Sequence, residues 1–158
     1  LEDLVAQVKK DGGEVLAGGA RAETDAAGQR LDGNYLQPTI VGGRLPADHR
    51  VFREEFFMPF LAVHEVGSFD AALREANAVE YGLTAGCFTQ DAAEARRFFD
   101  EVQAGVTYLN RAAGGSTAAV VNGQAFVGWK NSGSTGNGAG GRYYLLQFTR
   151  EQSQTIAA

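Results

Sequence analysis

Glu54-Glu55-Phe56-Phe57-Met58-Pro59 sets paired carboxylates beside aromatic rings, just ahead of an apolar run. Carboxylates are costly to bury without partners. The cluster is therefore either a solvated turn whose aromatics cover a core, or a site that meets a ligand. Carboxylates accept hydrogen bonds from ribose hydroxyls, and an aromatic ring can lie against a nicotinamide, so both readings stand. A second candidate is the stretch from Arg111 to Lys130, rich in small and hydroxyl residues. Its backbone amides can approach an anion, while Phe126 and Trp129 can wall an apolar pocket. Those aromatics argue against a merely disordered glycine loop.

The remaining reactive side chains favour structural readings. Cys87 lies in the strand-like run Thr-Ala-Gly-Cys-Phe-Thr without a nearby histidine. Reactive thiols need an electropositive, partly exposed setting, whereas a strand cysteine behaves as a small hydrophobe. His49 falls in a loop and His64 in mid-strand, neither with acidic or cysteine partners at ligand spacing. No metal site is expected. Gly136, Gly138 and Gly141 match G-x-G-x-x-G on paper. A dinucleotide fingerprint needs a further strand ending in an acidic residue about 20 positions on. The chain after Gly141 is too short to supply it.

The elements that must position these groups follow from periodicity. Leu1, Leu4, Val5 and Val8 mark one face of a helix, stopped at Gly12-Gly13. Glu14 to Ala17 reads as a strand, and residues 20–34 as an exposed hairpin or loop. Residues 35–41 read as a strand that Pro38 makes irregular or an edge. Residues 60–66 read as a buried strand. Ser68 can cap a helix running to about Val79. Residues 84–89 form another strand, and Asp91 with Glu94 forms a capping box. Behind it Ala95, Phe98, Phe99 and Val102 share a helical face that ends at Gly105. Val106 to Leu109 is the next strand. The alternation predicts βαβ units and an α/β fold with a mainly parallel sheet flanked by helices. A loop of nearly thirty residues follows Asn110, then a helix over about 138–148. The tail from Arg150 to Ile156 has strand character and is expected to pair with another subunit.

Composition narrows the function classes. The 158 residues allow one domain or part of one, burying roughly 70% of the unfolded chain's surface. A net charge of −5 without a basic run argues against a nucleic-acid surface. No apolar run approaches the ~20 residues of a membrane span. A single cysteine excludes a disulfide framework and fits a reducing cytosol. The chain starts at Leu1, already in a helical pattern, which is expected of a piece of something longer.

Several ordered segments together resemble the aldehyde dehydrogenase superfamily. Glu54 to Pro59 resembles its E-E-x-F-G-P motif, and Glu75-Ala76-Asn77 through Tyr81-Gly82-Leu83-Thr84-Ala85 its A-N…Y-G-L-x-A stretch. Gly105 to Asn110 resembles G-x-x-x-x-N, and Gln124 to Gly133 resembles x-P-F-G-G-x-K-x-S-G. Asn110-Arg111, Phe126, Gly128-Trp129-Lys130, Ser132-Gly133-Ser134, Tyr143-Tyr144-Leu145 and Arg150 to Thr155 are similar to the 1-pyrroline-5-carboxylate (glutamate semialdehyde) dehydrogenase branch. The departures are Met58 for the motif glycine, and Ala118, Ala125 and Val127 for Gly, Pro and Gly.

The resemblance implies the C-terminal part of a catalytic domain over residues 1–148, with an oligomerisation strand over 149–158. It implies NAD or NADP as cofactor, an aldehyde substrate, a homo-oligomer and a cytoplasmic setting. Glu55 would bind the nicotinamide-ribose hydroxyls and Phe57 would contact the nicotinamide. Thr117, Ala118 and Ala119 would anchor the substrate's distal carboxylate, and Phe126 would wall its carbon chain. The family's nucleophilic cysteine and general-base glutamate are expected upstream, so no catalytic residue is assigned here and the chain alone is expected to be inactive. The alternative reading is a non-catalytic association module derived from such an enzyme.

Overall fold

A computed structural model describes residues 1–112 and 124–157. It divides into two compact units, Leu1–Ser68 and Phe69–Ala158.

In the first unit, α1 spans Glu2–Lys10, with acidic residues in its first turn and lysines in its last. That charge order complements the helix dipole. Leu4, Val5 and Val8 are buried, as their spacing predicts. The strands are β1 (Gly13–Ala17), β2 (Thr39–Gly43) and β3 (Phe60–Ala62). They form one sheet in the order β1-β2-β3, antiparallel between β1 and β2 and parallel between β2 and β3. Val41 on the central strand is fully buried and joins Leu4, Val8, Leu45 and Val51 in the core.

Two expected boundaries move. The strand predicted over 35–41 starts at Thr39, because Pro38 has no N–H for a ladder. Thr39 is buried and satisfied: its hydroxyl donates to the Gln37 carbonyl and accepts from Gly19 N–H, both at 2.9 Å. Gly18, at φ +66°, packs so tightly that a Cβ would sit 2.2 Å from the Pro38 carbonyl oxygen. The buried strand predicted over 60–66 is shorter and half-exposed. Phe60 and Ala62 face the core, while Leu61 and Val63 point away from it. Residues 20–34 form the expected hairpin, bridged at Arg21–Leu36 and Thr24–Arg30. Asp25 builds its turn by accepting from Ala27 and Gln29 N–H.

In the second unit, α2 (Phe69–Asn77) and α3 (Ala92–Glu101) accompany β4 (Tyr81–Gly82), β5 (Thr84–Cys87), β6 (Val106–Leu109) and β7 (Trp129–Lys130). β5 and β6 pair in parallel with α3 between them, a βαβ unit. β4 and β7 pair antiparallel. Asp91 caps α3 by accepting from Ala93 and Glu94 N–H. The return leg of the capping box runs through Thr89, whose hydroxyl donates to Glu94 and accepts from Asp91 N–H. The helix stops at Glu101, ahead of Gly105, as Val102 turns to extended backbone.

Between Gln124 and Phe148 the chain departs most from expectation. The long loop contains β7, and the helix predicted over 138–148 is a 3₁₀ turn at Tyr144–Phe148. Glycines from Gly136 to Gly141 withhold helix propensity there. The tail from Arg150 to Ile156 forms no ladder among the described residues and is exposed. No helix among the described residues is long and apolar enough to cross a membrane.

Two measurements check this packing. Phe98 is 4% exposed and Phe99 49%. Phe98→Ala is expected to lose about 3–5 kcal/mol in urea unfolding, and Phe99→Ala under about 1 kcal/mol. Equal losses would contradict the assigned helix face. Cys87 packs beside Leu73, Phe98 and Val102. Burial, then nearby Glu94, raises its thiol above the ordinary range. Iodoacetamide at neutral pH is expected to label it several-fold more slowly than glutathione, with full labelling in urea. Native labelling as fast as glutathione would mark a reactive thiol.

Candidate functional site

The Glu54–Pro59 segment is a turn anchored by alternate residues. Phe56 and Met58 pack on the first core, and Phe56 meets Phe60 at 5.6 Å between ring centroids. Glu54 is held by Arg50, whose guanidinium also lies 5.5 Å from the Phe56 ring centre. Glu55 is exposed, and the ring of Phe57 is fully so, at 100%. An exposed carboxylate and a bare ring thus emerge two residues apart from a fixed backbone. One guanidinium nitrogen of neighbouring Arg53 is buried without a hydrogen-bond partner among the described residues.

A 3₁₀ turn, Arg50–Phe52, leads into this segment. His49 caps it, accepting from Val51 N–H at 3.3 Å through Nδ1. Its Nε2 lies 3.0 Å from the Asp11 carboxylate at the end of α1. Hydrogen bonds from Gln7 and then His49 hold Asp11 below the usual carboxylate range. The sequence alone offered His49 no acidic partner, because Asp11 is 38 residues away. His64 lies beyond β3, not in mid-strand, and stacks on Phe52 at 4.9 Å.

In the second unit, Phe126 is half-exposed beside a cleft of about 240 Å³ that Gly128, Ser134 and Tyr144 also line. Its N–H donates to the Ala139 carbonyl. The chain is pressed close here: a Cβ on Gly105 would lie 2.0 Å from the Val127 carbonyl oxygen. The non-glycine residues with positive φ among those described are Asn110 and Lys130, so Val127 fits its own backbone. Thr117, Ala118 and Ala119 lie outside the described residues. Glu55 and Phe57 belong to the first unit and Phe126 to the second.

Several polar motif residues turn out to brace the frame. Lys130 Nζ donates to the Asn77 and Val79 carbonyls, at 2.8 and 2.9 Å, completing the end of α2. Asn77 bridges onward, donating to the Glu101 carbonyl and accepting from Gln103 N–H. Asn110 donates to the Thr89 carbonyl and accepts from Thr89 N–H, which ties the end of β6 to the approach of α3. In the sequence these residues stand out only as parts of motifs. Their partners lie 21 to 53 positions away, and no local signal identifies them. Among the described residues no cluster of His, Cys, Asp and Glu could hold a metal.

Comparison with known proteins gives the family. The model of the aldehyde dehydrogenase family matches residues 1–154. The 1-pyrroline-5-carboxylate dehydrogenase of Bacillus pumilus is 34% identical over 151 residues, covering 96% of this chain and 27% of that protein. The alpha-ketoglutarate semialdehyde dehydrogenase of Haloferax volcanii is 43% identical over 100 residues, covering 63% of this chain and 20% of that protein. A crystal structure of a Thermus 1-pyrroline-5-carboxylate dehydrogenase with bound NAD superposes with a TM-score of 0.78 at 31% identity, over 93% of this chain and 26% of that one. The chain thus spans about a quarter of the length of these relatives. With its motifs, its fold and the family match in register from the first helix to the tail, the chain belongs to the aldehyde dehydrogenase family.

Proposed function

We propose that this chain is the C-terminal portion of an NAD(P)-dependent enzyme that oxidises glutamate semialdehyde, the open form of 1-pyrroline-5-carboxylate, to glutamate. The observation that carries the reading is the turn at Glu54–Met58, which buries Phe56 and Met58 while presenting Glu55 and Phe57. Glu55 makes no ion pair among the described residues. Its carboxylate is free to accept from ribose hydroxyls, and the Phe57 ring to lie along a nicotinamide. These groups fit a nicotinamide cofactor, which when bound accepts the hydride. Thr117, Ala118 and Ala119 anchor the distal carboxylate of the substrate, and Phe126 walls its carbon chain.

The nucleophile that forms the thiohemiacetal and the glutamate that aids hydrolysis have no counterpart here. Cys87 belongs to β5 and its core, with its thiol held protonated by burial. Covalent catalysis needs an activated thiolate, so the chain alone is inactive. Its single cysteine suits a reducing cytosol.

The second reading, an association module, draws on the C-terminal surface. Leu145, Leu146, Phe148 and Ile156 are all more than half exposed. Clustered exposed apolar residues mark interaction surfaces, and the tail suits pairing with a second copy. Size-exclusion chromatography of the chain is expected to show an oligomer. A stable monomer would count against that pairing.

In the full-length enzyme, Glu55→Gln is expected to raise the KM for NAD(P) about tenfold or more, by weakening charge-assisted hydrogen bonds. Phe57→Ala is expected to raise it less. An unaltered KM in both variants would sink the cofactor role. Turnover of glutamate semialdehyde against alpha-ketoglutarate semialdehyde, which also ends in a carboxylate, tests the substrate. Preference for the latter would reassign the branch.

A further inference from the structure

We propose that His49 and Asp11 form a positioning pair that sets the backbone of the cofactor-facing turn, an inference resting on the roles given to Glu55 and Phe57. Both side chains are exposed, so contacts at their own tips do not hold them. Their placement comes from the backbone between Arg50 and Met58.

Most of that backbone has a visible hold. Val51 is buried, Phe56 and Met58 pack on the core, and Glu54 N–H donates to the Arg50 carbonyl at 2.8 Å. The entry is different. The first amides of a helical turn have no partner within it, and here His49 Nδ1 takes the Val51 N–H. An accepting Nδ1 carries no proton. The neutral ring then carries its proton on Nε2, which faces the Asp11 carboxylate at 3.0 Å. The tautomer that caps the turn is therefore the one that donates to Asp11.

Serine and aspartate are the usual caps. Histidine has a second nitrogen, which ties the cap to another element. Asp11 is the C-cap residue that follows α1 and also accepts from Gln7 Nε2 at 2.6 Å. The helix itself is fixed by buried Leu4, Val5 and Val8. The His49 side chain is 8% exposed and that of Asp11 33%, so water competes poorly for the Val51 bond and more readily at the Asp11 carboxylate. The line Gln7–Asp11–His49–Val51 carries the position of α1 into the turn that displays Glu55 and Phe57.

The test uses two readouts. In this chain, hydrogen exchange at the Val51 amide is expected to speed up about tenfold in His49→Ala and in Asp11→Ala, with the Val41 amide unchanged. In the full-length enzyme, His49→Ala is expected to raise the KM for NAD(P) about tenfold, leaving kcat and the aldehyde KM near wild type. His49→Asn, which keeps an acceptor for Val51 N–H but lacks the Nε2 that meets Asp11, is expected to recover only part of both effects. Wild-type exchange at Val51 in both alanine variants would overturn the pair. So would a uniform loss of kcat and both KM values, which marks general destabilisation. If Glu55→Gln changes the cofactor KM and His49→Ala does not, the pair alone fails. If neither changes it, the cofactor reading fails with it.

Discussion

Burial of Val8 and Val41 against one another's surroundings is the constraint on which the first unit rests. Both are fully occluded, and each is the centre of its element's apolar face. Their packing seats α1 on the central strand of the sheet. It also places the end of α1, with Asp11, where His49 reaches it. The turn at Glu54–Met58 is then an outgrowth of this core. Phe56 and Met58 are drawn inward by the hydrophobic effect, and the residues between and beside them have nowhere to go but outward. A fully exposed phenylalanine would be an odd expense in isolation. On a backbone pinned at both flanks it is a presented group.

The second unit uses a different economy. Its core is small, formed by Leu73, Phe98 and Val102, and side-chain to backbone bonds carry much of the organisation. Asn77, Asn110 and Lys130 each satisfy main-chain groups at element ends that would otherwise be orphaned. Lys130 holds a positive φ that a lysine adopts only under constraint, and its two carbonyl acceptors supply that constraint. Residues quoted as family motifs are thus of two kinds. Glu55 and Phe57 face outward, while Asn77, Asn110 and Lys130 hold the frame.

The family resemblance was carried by spacing across the whole chain, and the match over residues 1–154 agrees with it. Helix α1, the capped start of α3 and strand β6 were legible for local reasons. A periodic apolar face, an Asp that reaches its own helix amides and a short β-branched run each act over a few residues. The helix predicted at 138–148 shortens to a 3₁₀ turn at Tyr144–Phe148, because the glycines before Tyr143 withhold helix propensity. The strand predicted at 60–66 shortens to Phe60–Ala62, because apolar character alone does not say which residues face a core.

By itself, then, the sequence determined the family and much of the order of elements, and it singled out Glu55 and Phe57, the residues proposed to meet a cofactor. These are properties of local pattern and ordered motifs. Tertiary structure alone decided which of those residues point outward, and that half-buried Cys87 packs against Leu73, Phe98 and Val102. It alone paired His49 with Asp11 and Lys130 with the end of α2. Those bonds join residues far apart in the chain, and only packing of whole elements brings their atoms within hydrogen-bonding distance.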